Sequence, residues 1–156
     1  LYPWEWIMAD EFGQYLHASG VHFLEPPWKA VLSNKGLMPL LWEKFEGHPN
    51  LLPAFFEGDA KAADLSDSYV RKPLLSRQGA NIEIVRNGQT SSRNEGAYGA
   101  EGHSLQAFLP LPEFDGKFPV VGCWMVAGQA VGVSIRESQT LITDGAANIV
   151  PHVILD

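Results

Sequence analysis

Four residues whose types suit anion binding stand within one short segment, YVRKPLLSRQGANIEI: Lys72, Arg77, Gln78 and Gly79. A lysine at the end of a strand has a fixed stem and presents its ammonium as a compact point charge, a donor suited to phosphate. Gly79 lets the backbone come close, so that its amide can meet a phosphate oxygen. Arg77, between Ser76 and Gln78, sits in a loop that can close over such a ligand. A plain hairpin carrying solvated basic side chains fits the same residues, and the segment alone leaves both readings open.

Two cations outside this segment extend the pattern. Lys35 follows Ser33-Asn34 at the start of a helical run, and helix N-termini favour anions through free amides and the macrodipole. An ordinary surface lysine of the first turn is the competing reading. Arg136 lies in the otherwise apolar VGVSIRE and is the only basic residue after Lys117. A guanidinium in a half-buried strand needs an acidic or phosphate partner, and a salt bridge to Glu137 or Asp144 meets that need as well as a ligand does.

Other chemistries find little support. There is no GxxxxGK phosphate loop and no GxGxxG, and EGAYGAEG (95–102) reads as a flexible loop. The five histidines lack metal-site spacing. Ser104 beside His103 is no nucleophilic dyad, because such partners must meet in space. The five tryptophans are assigned to the core rather than to a sugar-stacking platform. Cys123 is the only cysteine, so no intrachain disulfide forms, and its apolar neighbours predict a buried thiol.

The net charge of −7 argues against nucleic acid as the main partner. The charge is uneven: residues 1–67 carry −6, residues 68–103 carry +2 and the remainder −3. The cationic stretch holds Arg71, Lys72, Arg77, Arg86 and Arg93, a solvated face or a local anion site. No apolar run approaches the about 20 residues of a membrane span, and no secretory signal is visible, so a cytoplasmic setting is expected. The chain starts at Leu1 rather than Met, which suggests an excised domain or processed piece.

The 156 residues suffice for one compact unit, with no internal repeat and no long linker. Residues 1–17 read as a short amphipathic helix with Trp6, Ile7, Phe12 and Leu16 on one stripe. Residues 21–28 read as a strand stopped by two prolines, 37–45 as a helix with Pro39 in its first turn, and 57–67 as a loop. Strands are expected at 69–73, 81–87, 105–111, 118–128, 130–138, 141–143 and 149–155. Turns are placed at Asn87-Gly88, Asp115-Gly116 and Gly128-Gln129, with 89–103 a polar loop. The fold class is α+β: short N-terminal helices followed by mostly antiparallel sheet.

Taken in order, LYPWEWI, FLEPPWKAVLSNKGLMPLLWEKFEGHPNLLPAFFEG, YVRKPLLSRQGANIEI and YGAEGHSLQAFLPLPEFDGKFPVVGCWMVAGQAVGVSIRESQTLITD resemble the C-terminal region of glutathionylspermidine synthase and related acid–amine ligases. The resemblance covers nearly the whole chain, so residues 1–156 are assigned to the C-terminal part of one permuted, partial ATP-grasp domain. It implies an ADP-forming ligase with ATP and magnesium as cofactors. A glutathione-like carboxylate is joined to an amine such as a polyamine, through an acyl phosphate.

Residue by residue, the resemblance makes Lys35 and Lys72 the two ATP-binding lysines. It places Gly79, with Arg77 and Gln78, in a mobile lid over the phosphates (74–80). It puts Gln106, Ala107, Phe108 and Leu109 in a hinge beside adenine, where backbone groups read the base edge. Leu141, Ile142 and Thr143 become a further nucleotide-contacting segment, and Arg136, with Arg77, serves the phosphoryl group in transit. The family's magnesium-binding Asp, Glu and Asn fall upstream of the matched region, so the metal site and the remainder of the domain are expected elsewhere. The other reading from a different class is a nucleotide-binding or interaction module that kept the fold without the magnesium centre.

Overall fold

A computed structural model describes residues 3–154. Leu1, Tyr2 and Leu155, which the sequence assigns to the first helix and the last strand, lie outside the described residues.

Pro3, in extended backbone, opens helix α1 (Trp4–Ala9), and Asp10 returns the chain to extended geometry. A 3₁₀ stretch, Glu11–Ala18, follows, so the expected single helix is broken after two turns. Of its predicted stripe only Ile7 is buried; Trp6 and Phe12 are half in water. Residues 21–28 form no strand. Pro26 and Pro27 remove two ladder donors, and the chain passes into a one-turn 3₁₀ helix at Pro27–Lys29 and helix α2 (Ala30–Ser33). Helix α3 (Leu37–Lys44) forms as predicted, with buried Pro39 in the first turn, where its missing N–H costs nothing.

Five antiparallel strands form the main sheet: β1 (Ala54–Phe56), β2 (Tyr69–Pro73), β3 (Glu83–Arg86), β4 (Gln89–Arg93) and β5 (His103–Ala107). Their order is β1-β5-β2-β3-β4. Asn87 and Gly88, at φ 52° and 72°, make the tight β3–β4 turn. The predicted loop after Gly88 therefore begins as a strand. Residues 57–67, read as loop, contain a 3₁₀ helix, Ala60–Leu65, capped by Asp59. Helix α3 packs on β1 and β5, and the core gathers Ile7, Ala54, Phe55, Leu65, Ile84, Val85 and Ile142 around fully buried Pro73 and Ser104.

A second sheet holds β6 (Phe118–Val126), β7 (Gln129–Ser138) and β8 (Asn148–Val150), all antiparallel. Its hairpin turns at Ala127-Gly128, φ 49° and 80°, one residue before the predicted position, because Gln129 already pairs with Val126. Residues 141–143 are not a strand; they bend between β7 and β8. Two burial expectations fail on this sheet and on the helices. Cys123 is exposed, as are Trp6, Trp28 and Trp124, because these elements have no layer packed over them. The architecture is α+β with few short helices and antiparallel sheets.

Candidate anion site

Lys72 projects from β2 beside the neighbouring strand β5, where its Nζ donates to Gln106 Oε1 at 2.6 Å. Register explains the meeting: Gln106 pairs with Val70, and residues 70 and 72 share a sheet face. Burial holds the Lys72 pKa below the usual lysine value, and the positive charge of Lys35 adds to the effect. The nearest acceptor is thus a neutral amide, which leaves the ammonium's charge uncompensated.

Lys35 approaches from the other direction. Asn34 Oδ1 accepts from Gly36 N at 2.8 Å and its carbonyl accepts from Leu37 N at 3.1 Å, which turns the chain into α3. Gly36 is buried, and a Cβ there would fit tightly, 3.2 Å from Phe56 and 3.5 Å from Leu74. The Lys35 backbone N–H then donates to Leu74 O, and its Nζ donates to Ser76 O, both at 2.8 Å. Burial lowers its pKa too, opposed by the carboxylate of Glu5.

Arg77 makes a two-point ion pair with Glu5, Nε to Oε1 at 2.5 Å and Nη2 to Oε2 at 3.1 Å. The Glu5 side chain is only 7% exposed, and the Arg77 hydrogen bonds hold its carboxyl below the ordinary range. Leu74 and Ser76 thus tie the expected lid to Lys35, and Arg77 ties it to Glu5 of α1. Beyond Arg77 the loop turns through Gln78 and Gly79 at φ 51° and 72°. A Cβ on Gly79 would stand 2.8 Å from both Ile142 Cγ2 and Thr143 O, so residues 141–143 pack directly on this turn. Gln78 lies against Gly145.

Two features of the loop are open to a ligand. Among the described residues, the backbone N–H groups of residues 75–79 make no hydrogen bond. The Ser76 hydroxyl is buried without a partner. A buried hydroxyl left without a partner is costly unless something completes it. A successive run of amides through a left-handed turn is also a fitting concavity for phosphate oxygens.

The structure therefore sets Lys35 on Ser76, Lys72 on Gln106, Arg77 on Glu5, and Ile142 and Thr143 on the Gln78-Gly79 turn, with Leu141 adjoining. Ala107, Phe108 and Leu109 continue from Gln106. The Ala107 N–H is taken by Pro53 O at 2.8 Å, and Arg86 lies over the Phe108 ring at 5.2 Å. Leu109 is exposed, and its amide makes no hydrogen bond among the described residues. Arg136 stands apart on β7, exposed, opposite Val120 and Ile149. The salt bridge that competed with a ligand for it does not form with either carboxylate: Glu137 pairs with Lys117 at 3.3 Å and Asp144 accepts from Ala146 N.

Sequence reasoning missed Glu5 and the orphaned Ser76 hydroxyl. No pattern links Glu5 to Arg77 across 72 residues. It also missed that Arg71 is spent within the fold, in a two-point pair with Glu57 at 2.6 and 3.0 Å that includes His103.

Residues 1–155 match the family described as glutathionylspermidine synthase preATP-grasp. A Haemophilus influenzae protein named as an acid–amine ligase is 39% identical over 97% of this chain and 40% of its own length. Trypanothione synthetase of Crithidia fasciculata is 30% identical over 78% of this chain and 18% of its own. The bifunctional glutathionylspermidine synthetase/amidase of Escherichia coli is 27% identical over 84% and 21% respectively. The chain thus spans less than half the length of these relatives.

Proposed function

Because the chain belongs to the glutathionylspermidine synthase preATP-grasp family, we propose that it supplies the lysine-bearing part of the ATP site of a cytoplasmic acid–amine ligase. The observation that carries this reading is a pair of part-buried lysines from separate elements, Lys35 on Ser76 O and Lys72 on Gln106 Oε1, close enough to feel each other's charge and set beside the unpartnered Ser76 hydroxyl. In this reading the domain is a permuted ATP-grasp. Lys35 and Lys72 hold the phosphates, Ser76 and the amides of residues 75–79 complete their oxygens, and Gly79 permits the approach. The hinge residues Gln106, Ala107, Phe108 and Leu109 take the adenine, with Leu141, Ile142 and Thr143 beside the lid.

The reaction balances as two displacements. A substrate carboxylate oxygen attacks the γ-phosphorus and the bond to the bridging oxygen breaks, giving an acyl phosphate and ADP. An amine nitrogen then attacks the acyl carbon, phosphate leaves, and the nitrogen gives up a proton. Cations that stabilise charge on oxygens in transit carry most of the catalysis in such transfers, with no protein nucleophile. Arg77 and Arg136 take that role here, and the relatives' names favour a glutathione-like acid and a polyamine as substrates. Among the described residues no cluster of three or more His, Cys, Asp or Glu side chains could hold a metal, and in this reading the magnesium ligands come from the part of the ligase that this chain does not span.

Titration of the chain, joined to the part of the ligase it lacks, with ATP tests the reading through Lys35→Ala and Lys72→Ala. Unchanged affinity would remove both lysines from the site. The second reading is a nucleotide-binding module without turnover. ADP release with an acid–amine pair decides between the two.

A further inference from the structure

Lys35 and Arg77 share one carboxylate. Glu5 takes two hydrogen bonds from the Arg77 guanidinium, and its charge is felt at the Lys35 ammonium. Within the pair the acid is the buried partner, its side chain 7% exposed against 40% for Arg77. A second two-point pair, Arg71 with Glu57, is built the other way, with the acid the more exposed partner, 42% against 32%. Arg71 also points to the opposite face of β2 from its neighbour Lys72. A buried carboxylate is costly unless cations and hydrogen bonds hold it. Glu5 is therefore held by the same cations that the nucleotide reading gives to phosphate.

Glu5 and a phosphoryl group cannot both have those cations. The Nε and Nη2 donors form one fork of the guanidinium, and the two Glu5 oxygens already fill it. A phosphate set beside Lys35 would also face the Glu5 charge in a part-buried place, where like charges repel more strongly than in water. Glu5 stands in the first turn of α1, ahead of the buried Ile7. Its side chain can therefore leave the fork while Ile7 stays packed.

We propose that Glu5 is a built-in anion that latches Arg77 until a polyphosphate displaces it. The proposal rests on reading Lys35, Lys72 and Arg77 as the phosphate-binding part of the ligase. With the latch closed, the charges of Arg77 and Glu5 offset each other and the pair ties the lid to α1. With the latch open, Arg77 is available to the phosphoryl group and Glu5 turns to water. The two states are exclusive, so a ligand shifts the balance only by as much as it prefers the open one. The coupling is reciprocal: whatever strengthens the Glu5 contact weakens polyphosphate binding by the same factor.

The test grafts this chain in place of the matching segment of the Haemophilus influenzae relative and labels carboxyl groups with carbodiimide and glycine ethyl ester. Mass spectrometry gives the ratio of Glu5 to Glu57 labelling, which cancels any reagent lost to phosphate. Saturating ATP and saturating inorganic triphosphate are each expected to raise that ratio about fivefold or more, since a side chain 7% exposed comes into water. Arg77→Gln is expected to raise it without either anion, and neither should then raise it further. ATP that binds and leaves the ratio unchanged or lower would overturn the latch and leave the nucleotide site standing. Triphosphate that raises the ratio where ATP does not bind keeps the latch and overturns the nucleotide reading. If neither anion binds, both fall.

Discussion

Arg77 and Glu5, 72 residues apart, hold each other at two points, and the carboxylate so held is buried beside Lys35. A carboxylate in that position offers Arg77 the same two oxygens that a phosphoryl group would. Glu5→Gln is expected to free Arg77 and raise ATP affinity severalfold in the completed ligase, while hydrogen exchange across residues 74–80 quickens. Because Arg77 is 40% exposed, the pair contributes little to stability, about 0.5–1 kcal/mol after solvent screening. Unaltered exchange in the loop would show that this pair is not its tether.

Acid should reveal the same pair. Glu5 and Glu57 have folded pKa values depressed below 4.5, first by hydrogen bonds from Arg77 and Arg71. A depressed carboxylate contributes stability that is present above its unfolded value and disappears as pH falls through its folded one. Thermal midpoints should therefore decline below about pH 4.5, and Glu5→Gln with Glu57→Gln should flatten the decline. A slope unchanged in the double variant would assign acid sensitivity to other groups.

The lysines should separate binding from stability. Lys35→Ala and Lys72→Ala are each expected to weaken ATP binding about ten- to a hundredfold, the loss of one charge-assisted hydrogen bond. Lys72→Met should at the same time raise the thermal midpoint near neutral pH, by about 1 kcal/mol of stability, because it removes a charge that burial disfavours. The sign follows from linkage. A lysine with a depressed folded pKa penalises the fold while charged, and the penalty fades as pH rises from the folded value towards the unfolded 10.5. Calorimetry at pH 7 and pH 10 checks this, since the advantage of Lys72→Met should narrow at the higher pH.

Gly79→Ala tests the lid turn. At φ 72° a Cβ is strained, and it would also meet Ile142 Cγ2 and Thr143 O at 2.8 Å. The variant should lose about 1–3 kcal/mol and bind ATP more weakly. Arg93→Ala, whose only ion pair among the described residues is an exposed one to Glu95 at 3.7 Å, should change neither midpoint nor affinity.

Arg136→Ala should lower turnover of the completed ligase more than it lowers ATP affinity, as suits a group acting on a phosphoryl in transit. Equal losses in kcat/KM and in ATP affinity would mark Arg136 as a ground-state ligand instead.

Local chemistry in the sequence determined the pieces of this protein. Tyr69–Pro73 is a strand and Leu37–Lys44 a helix as the pattern dictates, and Asn87-Gly88 turns because both residues tolerate positive φ. The candidate residues Lys72, Arg77, Gln78 and Gly79 were legible because type and spacing lie within one segment. Tertiary structure alone decided what each side chain faces. It gave Arg77 to Glu5 and Arg71 to Glu57, set Ile142 against Gly79, and left Cys123 and Trp124 in water where their apolar neighbours predict a core. The reason is physical: backbone preference acts over a few residues, whereas ion pairing and burial depend on which distant surfaces meet. A sheet lacking its covering layer leaves exposed the side chains that its sequence composition marks for burial.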